Sequence, residues 1–207
     1  MKKNWMWAVP ACVAGVLLTI LLLLLVLFLI ELTYKRNCYL THNYPDRVTA
    51  VEVGNEMCNK EGYSVLDLSV FTNLKSITIG DNSFSSIREL NVTGLTQLQT
   101  IRIGSNSLVS VNGLKLIGLK SLEMITIGSR SFTHPGSETW PFRWCGDGSR
   151  SLSVKDCPLL KEVVFDSGSF MDYGTLSIES TPWLRSLSFG RSSFAWSSLK
   201  LASTSSC

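Results

Sequence analysis

A short block of residues returns along this chain at a fixed interval, and that interval restricts the fold more than any other feature. Ser76-Ile77-Thr78-Ile79-Gly80-Asp81-Asn82-Ser83-Phe84 recurs 24 residues later as Thr100-Ile101-Arg102-Ile103-Gly104-Ser105-Asn106-Ser107-Leu108. After 24 more it recurs as Met124-Ile125-Thr126-Ile127-Gly128-Ser129-Arg130-Ser131-Phe132. Beyond an interruption come Val163-Val164-Phe165-Asp166-Ser167-Gly168-Ser169-Phe170 and, 24 residues on, Leu187-Ser188-Phe189-Gly190-Arg191-Ser192-Ser193-Phe194. A period of this size means stacked supersecondary units, none of which can bury its apolar face alone.

Each period holds a second apolar-x-apolar triplet: Leu66-Asp67-Leu68, Leu90-Asn91-Val92, Leu114-Lys115-Leu116, Leu152-Ser153-Val154, Leu176-Ser177-Ile178 and finally Leu199-Lys200-Leu201. Period-two alternation puts the outer members of every triplet on one face of a strand. The expectation is an all-β solenoid of about five turns over residues 65–207, with two short strands per turn forming two parallel sheets. Leu74, Leu98, Leu122, Leu160 and Leu184 form one inward ladder, and Phe84, Leu108, Phe132, Phe170 and Phe194 another. Gly80, Gly104, Gly128 and Gly190 fall where the chain leaves the strand, which predicts a tight, left-handed turn.

The pattern Leu122-x-x-Ile125-x-Ile127-x-x-x-x-Phe132 resembles a leucine-rich repeat, and Ile-Gly-x-x-Ser-Phe resembles half of the repeat in BspA-like and protist surface proteins. The resemblance implies extracellular recognition or adhesion with no shared catalytic residue. One departure matters. The position of the usual asparagine ladder reads Asn82, Asn106, Arg130, Gly168 and Ser192, so the backbone groups there must find other partners.

Ahead of the repeats, residues 11–30 carry no charge and suffice, at ~1.5 Å per residue, to cross ~30 Å of hydrocarbon. Residues 1–10 form a short tail with Lys2, Lys3, Trp5 and Trp7. Small residues of the kind that mark a cleavage site do not follow the run, which favours an uncleaved signal-anchor over a cleaved signal. Either reading puts residues 31–207 outside the cell or in a lumen, and the uncleaved anchor makes the chain a single-pass membrane protein. Residues 31–64 are expected to cap the solenoid, with Val51-Glu52-Val53-Gly54 and Cys58 imitating a degenerate repeat. A Cys38–Cys58 bridge would staple that cap; the alternative is two unpaired thiols. Cys157 falls in an inward column and reads as a buried free thiol. Cysteine and histidine spacing suggests no metal site and no cofactor.

The insertion at 133–149 departs from the Ser/Thr-rich turns around it. Its Trp140, Phe142, Arg143 and Trp144 are residue types enriched at binding hot spots, although such aromatics can equally fold back over the solenoid flank. The other candidate surface is the outward strand face carrying Thr78, Arg102 and Thr126. Asn91-Val92-Thr93 is the one N-glycosylation sequon. Net charge is +3, and Lys2 and Lys3 supply two of those charges, leaving no basic patch for nucleic acid. A neutral, hydroxyl-rich face suits a protein or glycan ligand. A structural spacer or self-assembling coat component is the alternative. Polysaccharide hydrolysis would need converging carboxylates, whereas Asp67, Glu162 and Glu179 are scattered, so no enzyme is expected. Finally, the few small residues after Leu201 cannot cover an apolar turn. This predicts either a longer natural chain, self-association through the open C-terminal end, or fraying.

Overall fold

In the computed structural model, residues 17–25, 45–136, 149–195 and 197–202 are described. Two compact units, Met1–Tyr39 and Leu40–Cys207, are distinguished. In the first, residues 17–25 are helical with their leucines exposed. Among the described residues no helix is long and apolar enough to cross a membrane. The rest of the expected span, 11–16 and 26–30, lies outside them.

The second unit is an all-β solenoid. Its odd-numbered strands are β1 (Ala50–Val53), β3 (Ser76–Ile79), β5 (Thr100–Ile103), β7 (Met124–Ile127), β9 (Glu162–Phe165) and β11 (Ser186–Phe189). They stack in that order as one parallel sheet. The even-numbered strands are β2 (Val65–Asp67), β4 (Glu89–Asn91), β6 (Gly113–Ile117), β8 (Ser151–Lys155), β10 (Thr175–Glu179) and β12 (Ser198–Ala202). The register is the one the repeat implies: Ile77 opposes Ile101, which opposes Ile125, which opposes Val163. Leu199 and Leu201 fall in register with Leu176 and Ile178. The six strands of the first sheet make about six turns, not five, because Val51 and Val53 pair with Ile77 and Ile79 and bring β1 into the stack.

Inward residues of both sheets meet in a continuous core. Leu74, Leu98, Leu122 and Leu160 are fully buried, as are Leu108, Phe132 and Phe170. Each contributes on the order of 1.5–3 kcal/mol by leaving water. The aromatic ladder is physical: the Phe132 and Phe170 rings stack at 4.6 Å, and Phe170 and Phe194 at 4.9 Å. These separations match the strand spacing of a stacked parallel sheet.

The strand-leaving glycines serve a different purpose from the one expected. None of Gly80, Gly104, Gly128 and Gly190 has a positive φ. A Cβ on Gly128 would instead lie 2.6 Å from the Gly104 carbonyl carbon, and one on Gly190 only 2.3 Å from the Ser167 amide. The glycines let successive coils touch backbone to backbone. The left-handed residues come two and four positions later, at Asn82 and Phe84, Asn106 and Leu108, Arg130 and Phe132. Such a conformation costs a side-chain-bearing residue ~1–2 kcal/mol, so it must be held.

The turn is held by pairing with both neighbouring coils. The Asn82 amide donates forward to the Ser105 carbonyl at 2.8 Å, and the Phe84 amide donates back to the Met57 carbonyl at 3.1 Å. Between them, Ser83 is completely buried. Its amide donates to the Ser107 hydroxyl at 3.0 Å, and the Ser107 amide donates to the Ser131 hydroxyl at 3.1 Å. Each hydroxyl also donates to the glycine carbonyl of the preceding coil: Ser83 to Gly54 at 2.9 Å, Ser107 to Gly80 at 2.7 Å and Ser131 to Gly104 at 2.5 Å. A serine ladder, one residue beyond the asparagine column, thus satisfies the inner backbone. It changes at the insertion, where Ser169 and Ser193 turn to Asp166 and Gly190 of their own coils.

The even-numbered strands form two sheets, not one: a pair β2-β4 and a group β6-β8-β10-β12. Side chains end the first two strands early. Asp67 Oδ1 accepts the Ser69 amide and hydroxyl at 3.0 and 2.6 Å, and Asn91 Oδ1 accepts the Thr93 amide and hydroxyl at 3.1 and 2.8 Å. Such local side-chain bonds compete with the strand ladder. Lys115, Ser153 and Ser177 occupy the same register position in strands of five residues.

Replacing Ser107 by Ala should cost ~1–3 kcal/mol, because it strands a buried amide and a buried carbonyl. Thr78→Ala on the outward face should change stability by no more than ~0.5 kcal/mol. Chemical denaturation would check both. Equal effects would contradict the ladder.

Candidate functional site

Pairing of β3, β5 and β7 lines up Thr78, Arg102 and Thr126 as direct neighbours across three strands. The row continues to Glu52 on one side and to Val164 and Ser188 on the other. Alternation explains why it faces out: Ile77, Ile79, Ile101 and Ile103 occupy the inward positions, so the residues between them cannot. Thr78 and Arg102 are exposed and Thr126 is half-buried. The Arg102 Nη2 lies 3.4 Å from Met124 Sδ, which lays the guanidinium along the sheet. This row offers hydroxyl groups and one planar cation on a flat, rigid support, suited to accepting and donating hydrogen bonds to carbonyl, carboxylate or hydroxyl groups.

Other candidates fall elsewhere. Trp140, Phe142, Arg143 and Trp144 lie outside the described residues, as does Cys38. Cys58 is buried, carries the left-handed φ of the Phe84 column and is disulfide-bonded. Cys157 is a buried free thiol that donates to the Lys155 carbonyl at 3.3 Å, and burial pushes its pKa up. Asp67, Glu162 and Glu179 are distributed over three different sheets. The Ser177 hydroxyl and the Lys155 ammonium hold the Glu179 carboxyl below the usual range. His134 is exposed, as expected for a loop residue.

A buried polar cluster at the base of the insertion was not evident from the repeat pattern. Arg150 follows the insertion, and its guanidinium turns inward to donate to the Val109 carbonyl at 3.1 Å and the Val111 carbonyl at 2.6 Å. It pairs with Asp172 and lies 4.6 Å from the Tyr173 ring centre. Tyr173 donates to the same Val111 carbonyl at 2.8 Å, and burial pushes its pKa well above the usual range, so the hydroxyl stays protonated. Asp172 Oδ2 also accepts the His134 amide at 3.3 Å. One carboxylate therefore ties the residues on both sides of the 137–148 segment. Asp172 Oδ1 has no partner among the described residues. The sequence does hold a signal: Tyr173 stands where Ile87 and Val111 stand in other coils, a polar-tipped aromatic in an apolar column.

Residues 72–129 match the leucine rich repeat family model. Those coils are similar to leucine-rich repeats. The match covers the uninterrupted part of the stack, where the serine ladder runs from coil to coil. Neither the curated proteins nor the solved structures hold a match to the chain. Leucine-rich repeats generally serve as protein-binding scaffolds, and the outward row on β3, β5 and β7 falls within the matched coils.

Arg150→Met should destabilise the fold by ~3–5 kcal/mol, because it leaves the Asp172 carboxylate buried and unpaired. Combining it with Asp172→Leu should recover part of that loss. A double variant no more stable than Arg150→Met, judged by thermal unfolding, would show that the pair does not act as a unit.

Proposed function

We propose that this chain is a membrane-anchored binding protein of the BspA-like, 24-residue repeat type, with its solenoid outside the cell or in a lumen. In this reading residues 11–30 anchor it, and the solenoid recognises a protein or glycan through the face carrying Thr78, Arg102 and Thr126. The aromatic residues Trp140, Phe142, Arg143 and Trp144 would extend that surface, and a Cys38–Cys58 bridge would staple the first coil. The observation that carries the reading is the register of the first sheet. It sets hydroxyl groups and Arg102 in one row on a support that needs no rearrangement to bind, which lowers the entropic cost of association.

A second reading, self-association, is favoured by the last coil. Trp183, Phe189 and Leu199 are 56, 42 and 52% exposed there, and among the described residues β11 and β12 each pair on one side. Open strands with apolar neighbours are templates for pairing with another copy.

One preparation distinguishes the two readings. The purified chain, applied to glycan and cell-surface protein arrays, should capture a ligand, and Thr78→Glu/Arg102→Glu/Thr126→Glu should abolish capture with little change in melting temperature. Capture unaffected by that triple variant would remove the row from the site. Absence of any capture, with concentration-dependent growth in light scattering that Phe189→Glu suppresses, would favour self-association.

A further inference from the structure

We propose that Asn91 carries an N-linked glycan, which occupies the groove between β4 and β6. The proposal rests on the reading that the repeat domain lies in a lumen or outside the cell. The sequon Asn91-Val92-Thr93 is a necessary signal, not a sufficient one. What the structure adds is the geometry of its polar atoms. Asn91 Oδ1 accepts both the Thr93 amide and the Thr93 hydroxyl, at 3.1 and 2.8 Å. These bonds fix the amide and leave its Nδ2 without a partner among the described residues. Thr93 is exposed. Beside it, a Cβ built on Gly94 would meet no atom within 4 Å, so open space adjoins the acceptor.

The groove gives the saccharide a place to lie. β4 and β6 belong to separate sheets, and a cleft of about 870 Å³ spans them, reaching Val65 of β2 and Ser151 of β8. Arg88, Glu89, Asn91, Asn112 and Lys115 line it. These side chains match the hydroxyl and acetamido groups of a proximal sugar. A glycan there would also cover two strand edges that do not pair with each other, a usual liability of open sheets. The odd-numbered face, with Thr78, Arg102 and Thr126, would remain uncovered for a ligand.

The chemistry is transfer from an oligosaccharide activated as a lipid pyrophosphate. Asn91 Nδ2 forms a bond to the anomeric carbon, and the bond from that carbon to the pyrophosphate oxygen breaks. The lipid pyrophosphate leaves with the electron pair and takes up the one proton that the amide nitrogen gives up.

Asp67-Leu68-Ser69 supplies an internal control. It has the same turn, with Asp67 Oδ1 accepting the Ser69 amide and hydroxyl at 3.0 and 2.6 Å, but a carboxylate has no nitrogen to glycosylate. The full chain should be expressed in cultured eukaryotic cells and its gel mobility compared before and after an amidase that releases N-glycans. The native chain should shift by one glycan step, Asn91→Gln and Thr93→Ala by none, Thr93→Ser by one, and Asp67→Asn by two. A native chain without a shift, alongside one step for Asp67→Asn, would overturn the proposal and leave the lumenal reading intact. A shift that survives Asn91→Gln would also overturn it. If neither chain shifts, protease treatment of sealed microsomes separates the failures. A protected solenoid would mean that the glycan proposal alone is wrong, and a digested one that the lumenal reading has fallen with it.

Discussion

The stack depends on how closely one coil can approach the next. The β-ladder sets the spacing, and at that spacing the strand-leaving residue has no room for a Cβ, as the 2.6 Å distance from Gly128 to the backbone of Gly104 shows. Once the glycines bring the coils into contact, the following turn is enclosed, and its amides and carbonyls lose access to water. A buried backbone group without a partner costs about as much as a lost hydrogen bond. Ser83, Ser107 and Ser131 resolve this with one atom each, since a hydroxyl both donates and accepts. The serine oxygen accepts an amide and donates to a carbonyl, both of the preceding coil. The left-handed backbone at Asn82 and Phe84 follows from the same requirement, because it turns their two amides toward opposite neighbours.

This arrangement propagates only while consecutive coils are similar. At the insertion the ladder loses its partner, and the chain turns to a heavier device. Arg150 and Tyr173 converge on the carbonyls of Val109 and Val111, and Asp172 pairs with Arg150. A buried ion pair is rarely a net source of stability relative to a well-packed apolar group. Here it supplies a fixed base instead, with Asp172 holding the His134 amide on one side and Arg150 on the other. The residues on both sides of 137–148 are thereby fixed over a closed core.

Much of this was legible in the sequence. Strand register, the leucine and phenylalanine ladders, the outward row and the burial of Cys157 all follow from periodicity, because each depends on side-chain alternation alone. What escaped depends on backbone proximity between coils. The glycines signalled a special backbone, but sequence cannot distinguish a positive φ from a steric exclusion. The serine column was visible and read as turn polarity, since a small hydroxyl residue looks the same buried or exposed. The split of the second face turned on whether Asp67 and Asn91 bond their own backbone or face solvent. The membrane segment and the aromatic insertion remain proposals resting on composition.

Amide hydrogen exchange, resolved at single residues, tests the central claim most directly. Ser83 and Ser107 lie outside every strand, and in an ordinary surface turn their amides would exchange quickly. If the serine ladder closes the stack, both amides should be protected to the level of Ile101 and Ile103 in β5, and should be released only by global unfolding. Exchange at Ser83 and Ser107 far faster than at Ile101 and Ile103, through local opening, would contradict the account.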